Sequence, residues 1–313
     1  MKILFFVKSK SVLFKNHKSG GIEILNFELS NYFKKKKLFV ILSNKITNKI
    51  LSTNWDVVIS SNDAKIFDRI TSVRRILWLH NKLQIEKAFR KKQLFPILKN
   101  KIETIFVSKY LEKNTSRIYS FYKRIVISNF LPKIFIQKKI KKKFSSKKIF
   151  VWSVQRDKGL NDVLDLWKNK IHLNHPEAEF HIFSIEAKNK KQFRKHNIFF
   201  HGRVNRSKLV NFYKKSTAMI CLGYDETFCL NAIESMSMGV PVISLGKTSL
   251  NELIINNKNG FIVKNLPKLG EVITKLINLD KNKTFKLASS TIKFSKKYDS
   301  KIIFAKWSNL LLN

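Results

Sequence analysis

The sequence predicts an α/β protein made of two doubly wound parallel-sheet domains facing a central cleft. Three observations carry that expectation. The chain has 313 residues, more than one hydrophobic core ordinarily serves, so two domains of roughly 150 residues each are expected. Short continuous apolar runs, typical of strands buried on both faces, recur along its whole length. Between them lie stretches with apolar residues at helical spacing, and such alternation indicates parallel strands joined by crossover helices.

The elements follow in order. Ile3 to Val7 is the first buried strand, followed by a loop rich in Lys, Ser and Asn that closes on Ser19-Gly20-Gly21. Ile22, Leu25, Leu29 and Tyr32 or Phe33 then recur at helical spacing, giving strand, glycine loop and helix. Further strands are expected at Leu38 to Leu42, Val57 to Ile59, Ile76 to Leu79, Thr104 to Val107 and Ile125 to Ile127. Around Gln137 to Lys148 the pattern breaks into a basic, serine-containing stretch, so a linker is placed at 138–147, after an N-terminal domain of residues 1–137. A second series at Ile149 to Ser153, Phe180 to Phe183, Ile198 to Phe200, Ala218 to Leu222, Val240 to Ser244 and Phe261 to Val263 builds a C-terminal domain of residues 148–285. From Thr284 onwards the chain reads as helical, anchored by Ile292, Phe304 and Trp307, and segment 286–313 is expected to pack back on the N-terminal domain.

Lys and Arg number 62 against 21 Asp and Glu, a formal net charge of +41. Such a field fits nucleic acid, an anionic membrane surface or phosphorylated small molecules. AT-rich coding would enrich lysine without any partner, but it would favour GAA and GAT equally, so it leaves the acid deficit unexplained. Zinc-finger spacing, an RNP-like aromatic motif and a basic zipper are all missing, so nucleic acid is not an expected partner. No run of 18 apolar residues occurs, and lysine interrupts the opening MKILFFVKSK too soon for a signal peptide. The expectation is a cytoplasmic protein held peripherally at the inner face of the plasma membrane. Cys221 and Cys229 are too few for a disulfide framework or a zinc site and read as reduced packing residues. The seven histidines are scattered, and no metal is expected.

The most informative stretch runs from Tyr224 to Ile243. Glu226 stands at a strand-to-helix turn, Glu234 eight positions on, and Gly239-Val240-Pro241 turns into a buried strand. A helix starting near Phe228 would point free amides and its positive end beside Glu226, a place for diphosphate oxygens or sugar hydroxyls. Glu234, about two turns along, could accept two hydrogen bonds from a vicinal diol.

These residues resemble the family 4 retaining glycosyltransferases, among the glycosyl transferases group 1, whose Glu-x7-Glu motif opens a helix and precedes Gly-x-Pro-Val-Ile. Phe228 and Leu230 after the first glutamate, and Gly239, Pro241 and Val242 after the second, give the spacing its specificity. Phe200-His201-Gly202-Arg203-Val204 with Leu209 and Tyr213, Asn251-Glu252-Leu253-Ile254 and Asn259-Gly260-Phe261 extend the likeness on either side. Gly20-Gly21-Ile22-Glu23, Val107-Ser108-Lys109-Tyr110 and Ser128-Asn129 carry it through the first half. The resemblance implies the GT-B fold of two Rossmann-like domains and transfer of a hexose-type sugar, with retention, from a nucleotide sugar such as a UDP- or GDP-sugar. The acceptor would be a glycan or a lipid-linked molecule of envelope polysaccharide synthesis, with no cofactor and no metal required.

Carried over by position, the resemblance implies that Glu226 holds donor-sugar hydroxyls, that Lys158 neutralises the diphosphate and that His80 lies near the transferred sugar. It assigns donor binding to Gly20, Gly21, Arg156, Thr227, Phe228, Cys229 and Leu230, and the nucleotide ribose to Glu234. Plainer readings stand beside these: Lys158 as a solvated lysine, His80 as a satisfied structural histidine, Gly20-Gly21 as an ordinary turn. The chain also departs from the family. The Gly-Arg pair that usually precedes the lysine is replaced by Trp152-Ser153-Val154-Gln155, so the charge falls to Arg156 or to Lys158 alone. Thr227 stands where a glycine is frequent. A catalytically inactive or epimerase-type relative of the same fold is the alternative.

Overall fold

The computed structural model describes residues 1–8, 20–136, 147–183 and 190–312. The expected linker at 138–147 lies outside the described residues except for Lys147.

Two compact units emerge, Met1–Phe130 with Ser300–Asn313, and Leu131–Asp299. The first is built on β1 (Lys2–Val7), β2 (Phe39–Ser43), β3 (Trp55–Ser61), β4 (Ser72–Leu79), β5 (Ile102–Phe106) and β6 (Lys123–Val126). These pair in parallel in the order β2-β1-β3-β4-β5-β6. The second is built on β7 (Ile149–Trp152), β8 (Glu179–Phe183), β9 (Ile198–Gly202), β10 (Ala218–Ile220), β11 (Val242–Ser244) and β12 (Gly260–Ile262). Its order is β12-β11-β10-β7-β8-β9, again parallel throughout. All twelve expected strands form, within a few residues of their sequence bounds; the central ones are apolar runs that only a sheet covered on both faces can bury, while the outer strands β2, β6 and β9 are partly exposed. Ile3, Leu4, Phe5, Val58, Ile59 and Ile76 in the first sheet, and Phe150, Val151, Ile182 and Ile220 in the second, have no exposed surface.

The strand order fixes where ligands can be met. In the first sheet the order reverses between β1 and β3, in the second between β7 and β10. At such a switch point the connections from neighbouring strands run to opposite faces, leaving a crevice beyond the carboxyl ends. Lys8 follows β1 and Asn62 and Asp63 follow β3. Lys158 lies beyond β7 and Glu226 beyond β10. Both of the stretches singled out for chemistry in the second unit therefore converge on its switch point.

The C-terminal helices divide between the units. Helix Lys281–Ser295 belongs to the second, where Ala288 packs against the turn at Gly239: a β-carbon on that glycine would stand 3.2 Å from the Ala288 Cβ. Gly239 also has φ +76°, a left-handed conformation that turns the chain sharply out of helix Leu230–Ser237 towards β11. Helix Ser300–Leu312 joins the first unit. There the Trp307 ring lies 4.8 Å from that of Trp78 and Phe304 4.7 Å from Phe130 and from Tyr32. Among the described residues no helix is long and apolar enough to cross a membrane.

Candidate functional site

Beyond β10 the chain runs through Cys221, Leu222 and Gly223 into the turn that carries Glu226, and the next helix begins at Leu230. This is two residues later than Phe228, the start expected from sequence. Cys229 caps the helix in a left-handed conformation, φ +59°. Its backbone N–H lies on the Glu226 side and favours the ionised form of that carboxylate. The Glu226 carbonyl accepts hydrogen bonds from the Ser249 N–H at 3.4 Å and the Ser249 hydroxyl at 3.2 Å, pinning the turn from the β11 side.

Lys158 comes from the other side of the switch point. It ends a short 3₁₀ turn, Arg156–Lys158, and Gly159 follows with φ +100°. A β-carbon at Gly159 would meet Leu222 at 2.7 Å and the Tyr224 ring at 2.9 Å, so only glycine lets this turn close against the Glu226 loop. The lysine ammonium donates to the Asp225 carbonyl at 2.8 Å. Burial pushes the Glu226 carboxyl above the ordinary carboxylate range, Asp225 and Asp157 push it the same way, and Lys158 and the Cys229 amide pull it back. The result is a half-buried carboxylate and ammonium on adjoining turns, one able to accept from hydroxyls and the other able to meet anionic oxygens.

Glu234 sits one turn into the helix, with no exposed surface. Arg206 donates to its Oε1, while Oε2 has no hydrogen-bond partner. Burial raises the Glu234 carboxyl, opposed by the charge and hydrogen bond of Arg206. Asn231 of the same helix donates to the Ser153 carbonyl, and the Ser153 hydroxyl pairs with the buried Tyr213 hydroxyl at 2.7 Å. Arg206, which the sequence reading did not single out, shares a helix with Leu209, Val210 and Tyr213. Offsets of 3, 4 and 7 put it on that helix's buried face, the signal that would have identified it.

The remaining expected residues are scattered more widely. Arg156 hydrogen bonds to Asn161 Oδ1 at 3.1 and 3.3 Å and is exposed. Phe228 is a packing residue whose ring lies 5.8 Å from that of Tyr298. Thr227 and Leu230 are half-buried on the same turn. Cys221 and Cys229, expected as reduced packing residues, place their Sγ atoms 3.7 Å apart. With Glu226 they form a group whose ligand atoms all lie within 4.8 Å of one another.

Gly20, Gly21 and His80 belong to the first unit. Gly20 caps helix Gly21–Lys35 with ordinary extended backbone, φ −65° and ψ 171°, and a β-carbon there would first meet the flexible Glu23 carboxylate. His80 follows β4, its amide held by Asn62 Oδ1 at 2.7 Å and its ring 4.7 Å from that of Trp78. Burial brings its pKa down to about 3, so the imidazole is neutral at physiological pH. Beyond β1 and β3 lies a cavity of about 570 Å³ lined by Lys8, Lys65, Arg90, Lys91 and Lys92 against Glu23 and Asp63.

Three solved structures show the same fold. Staphylococcus aureus TarM, as a G117R mutant in complex with fondaparinux, α-GlcNAc-glycerol and UDP, superposes with a TM-score of 0.65 at 19% identity over 82% of this chain. The chain spans 55% of that protein's length. Sucrose-phosphate synthase of Thermosynechococcus elongatus gives 0.75 at 13% identity, over 99% of this chain and 98% of that one. Anabaena HepE in complex with UDP gives 0.72 at 14% identity, over all of both chains. No curated protein matches by sequence. The family model described as glycosyl transferases group 1 matches residues 133–297, more than half of the chain. With its two parallel Rossmann-like sheets and the Glu226 to Glu234 stretch inside the matched region, the chain belongs to the glycosyl transferases group 1 family.

Proposed function

We propose that the chain moves a hexose-type sugar, with retention at the anomeric carbon and without a required metal, from a nucleotide-sugar donor to a glycan or lipid-linked acceptor of envelope polysaccharide synthesis. One observation carries this reading: the Glu226 carboxylate and the Lys158 ammonium stand on adjoining turns at a sheet switch point. Glu226 accepts hydrogen bonds from donor-sugar hydroxyls. Lys158 and Arg156 neutralise the diphosphate as the sugar bond breaks, and positive charge placed where anionic charge develops lowers the barrier. The departing phosphate oxygen takes the proton of the incoming acceptor hydroxyl on the same face. TarM and HepE are solved with UDP, which supports a uridine nucleotide as the first donor to try.

Glu234 is the group for the nucleotide ribose, through its unpartnered Oε2. It has no exposed surface, so a diol reaches it only when the groups around it move aside. Gly20, Gly21 and His80 are assigned to the donor as well, His80 as a neutral hydrogen-bonding group. The cationic cavity beyond β1 and β3 favours an acidic acceptor, and the net charge of +41 favours peripheral attachment at the anionic inner face of the plasma membrane. The test is product analysis: incubation with nucleotide sugars and a short lipid-linked glycan, with the new linkage read by proton NMR. An α-linked donor giving an α-linked product supports retention. An inverted product overturns it.

A further inference from the structure

We propose that Cys221, Glu226 and Cys229 form a site for a thiophilic divalent cation, zinc, and that occupying it withdraws Glu226 from the donor sugar. The first half rests on geometry alone. The second rests on the donor-binding reading of Glu226.

Two thiolates bound to one tetrahedral zinc at about 2.3 Å lie about 3.8 Å apart. The two Sγ atoms stand 3.7 Å apart with no ion present, so the pair already spans that edge. A disulfide would require closure to about 2.05 Å. The fold sets the separation from both ends. Cys221 directly follows the buried strand β10, and Cys229 is fixed as the cap of the next helix at φ +59°. The seven-residue loop between them brings back Glu226, whose carboxylate oxygen completes a group spanning no more than 4.8 Å. A shift of about 1 Å in one carboxylate arm reaches the tetrahedral edge.

The donor set decides the metal. Two thiolates and one carboxylate select zinc over magnesium or calcium, which prefer all-oxygen shells. Binding is Zn²⁺ + 2 RSH + RCOO⁻ → Zn(SR)₂(OOCR)⁻ + 2 H⁺, with both thiol protons released to solvent. The single negative charge of the product lies beside the Lys158 ammonium. Three protein ligands leave one position for water. Both thiols are buried, Cys221 fully and Cys229 at 6% exposure, and entry is from the half-buried Glu226 side. A carboxylate held by the metal is no longer available to sugar hydroxyls.

The test uses the reduced full-length chain with zinc or cobalt(II) added at one equivalent. Zinc-edge X-ray absorption on the unmodified protein is expected to show two sulfur neighbours at about 2.3 Å with lighter atoms completing the shell. Cobalt(II) is expected to give a thiolate charge-transfer band that disappears in Cys221→Ser and in Cys229→Ser. Glu226→Gln should keep the band with at least about tenfold weaker binding, one of three protein ligands being lost. An oxygen and nitrogen shell only, a band surviving both serine variants, or no binding would overturn the site. If the serine variants fail to fold, the absorption spectrum of the unmodified chain still decides. Transfer activity separates the two halves. Full activity with zinc in a sulfur-bound site leaves the site standing and sinks the donor role of Glu226. No sulfur-bound zinc, together with inactivity of Glu226→Gln, sinks the site and leaves that role standing.

Discussion

The two units share parallel six-stranded sheets and differ in what they place beyond the switch point. In the second, the Glu226 backbone is pinned by Ser249, Lys158 by the Asp225 carbonyl, and Glu234 by Arg206. In the first, the crevice is a cavity whose walls carry lysines and an arginine outnumbering the acids. Fixed groups, half-buried like Glu226 and Lys158 or fully buried like Glu234, suit one chemical group presented in one geometry. Long flexible cations suit a ligand recognised by charge. One topology therefore supports both kinds of binding, and the difference lies in side chains rather than in the sheet.

That contrast can be broken most sharply at Arg206. Removing one partner of a buried ion pair leaves the other charge unpaired, so Arg206→Ala should cost about 3 to 5 kcal/mol of stability in denaturant melts. The double change Arg206→Met with Glu234→Leu should recover most of that loss. A cost below about 1 kcal/mol, the range of a surface pair, would show that the pair is not pinned.

Glu226→Gln comes next. Turnover should fall about 10²-fold, the scale of losing one positioned polar group from a reacting site. Stability at neutral pH should hold or rise slightly. The folded-state pKa of Glu226 is raised, so burial of its charge works against the fold, and an amide removes that burden. A steep fall in melting temperature with full activity per folded molecule would make Glu226 structural.

Acid should distinguish the units. His80 has a folded pKa of about 3 against an ordinary 6.5. Its contribution is intact above pH 6.5 and is lost as pH falls towards 3, at about 1.4 kcal/mol per pH unit. Glu226 and Glu234 are raised and act oppositely, gaining stability as pH falls through the carboxylate range. The pKa values of His181 and His196 are also lowered, chiefly by burial, and these groups titrate in both proteins. Melts of the unmodified chain and His80→Asn between pH 7 and 5 should therefore differ in slope, the unmodified chain losing stability more steeply. Equal slopes would remove the histidine from the account.

The smallest effect belongs to the cavity. Changing Arg90, Lys91 and Lys92 together to Gln should weaken binding of a phosphorylated oligosaccharide about tenfold at low salt, and the difference should vanish near 1 M salt, where screening reaches about 3 Å. A salt-independent loss would mean that packing, not charge, was removed.

Much of the fold was legible because parallel strands buried on both faces leave continuous apolar runs, as in Ile3 to Val7 or Ile149 to Trp152. The Glu226 stretch was legible because its turn, helix and glycine lie together in sequence. What escaped was tertiary. Arg206 meets Glu234 across 28 residues, and the sulfur separation of Cys221 and Cys229 depends on a left-handed cap that no residue type announces. The passage of the chain from the second unit to the first, at Asp299 and Ser300, has no compositional mark. Helices Lys281–Ser295 and Ser300–Leu312 each show a buried stripe, and only packing shows which unit covers it.

The central claim is that the second unit reads a nucleotide-sugar donor through Glu226 and Lys158. The most direct measurement is calorimetric titration of UDP-, GDP-, ADP- and CDP-sugars into the unmodified chain, Glu226→Gln and Lys158→Ala. One nucleotide class should bind, Lys158→Ala should weaken both the sugar nucleotide and the free nucleoside diphosphate, and Glu226→Gln should weaken the sugar nucleotide alone. Equal affinity in all three proteins, or no binding of any donor, would contradict the account.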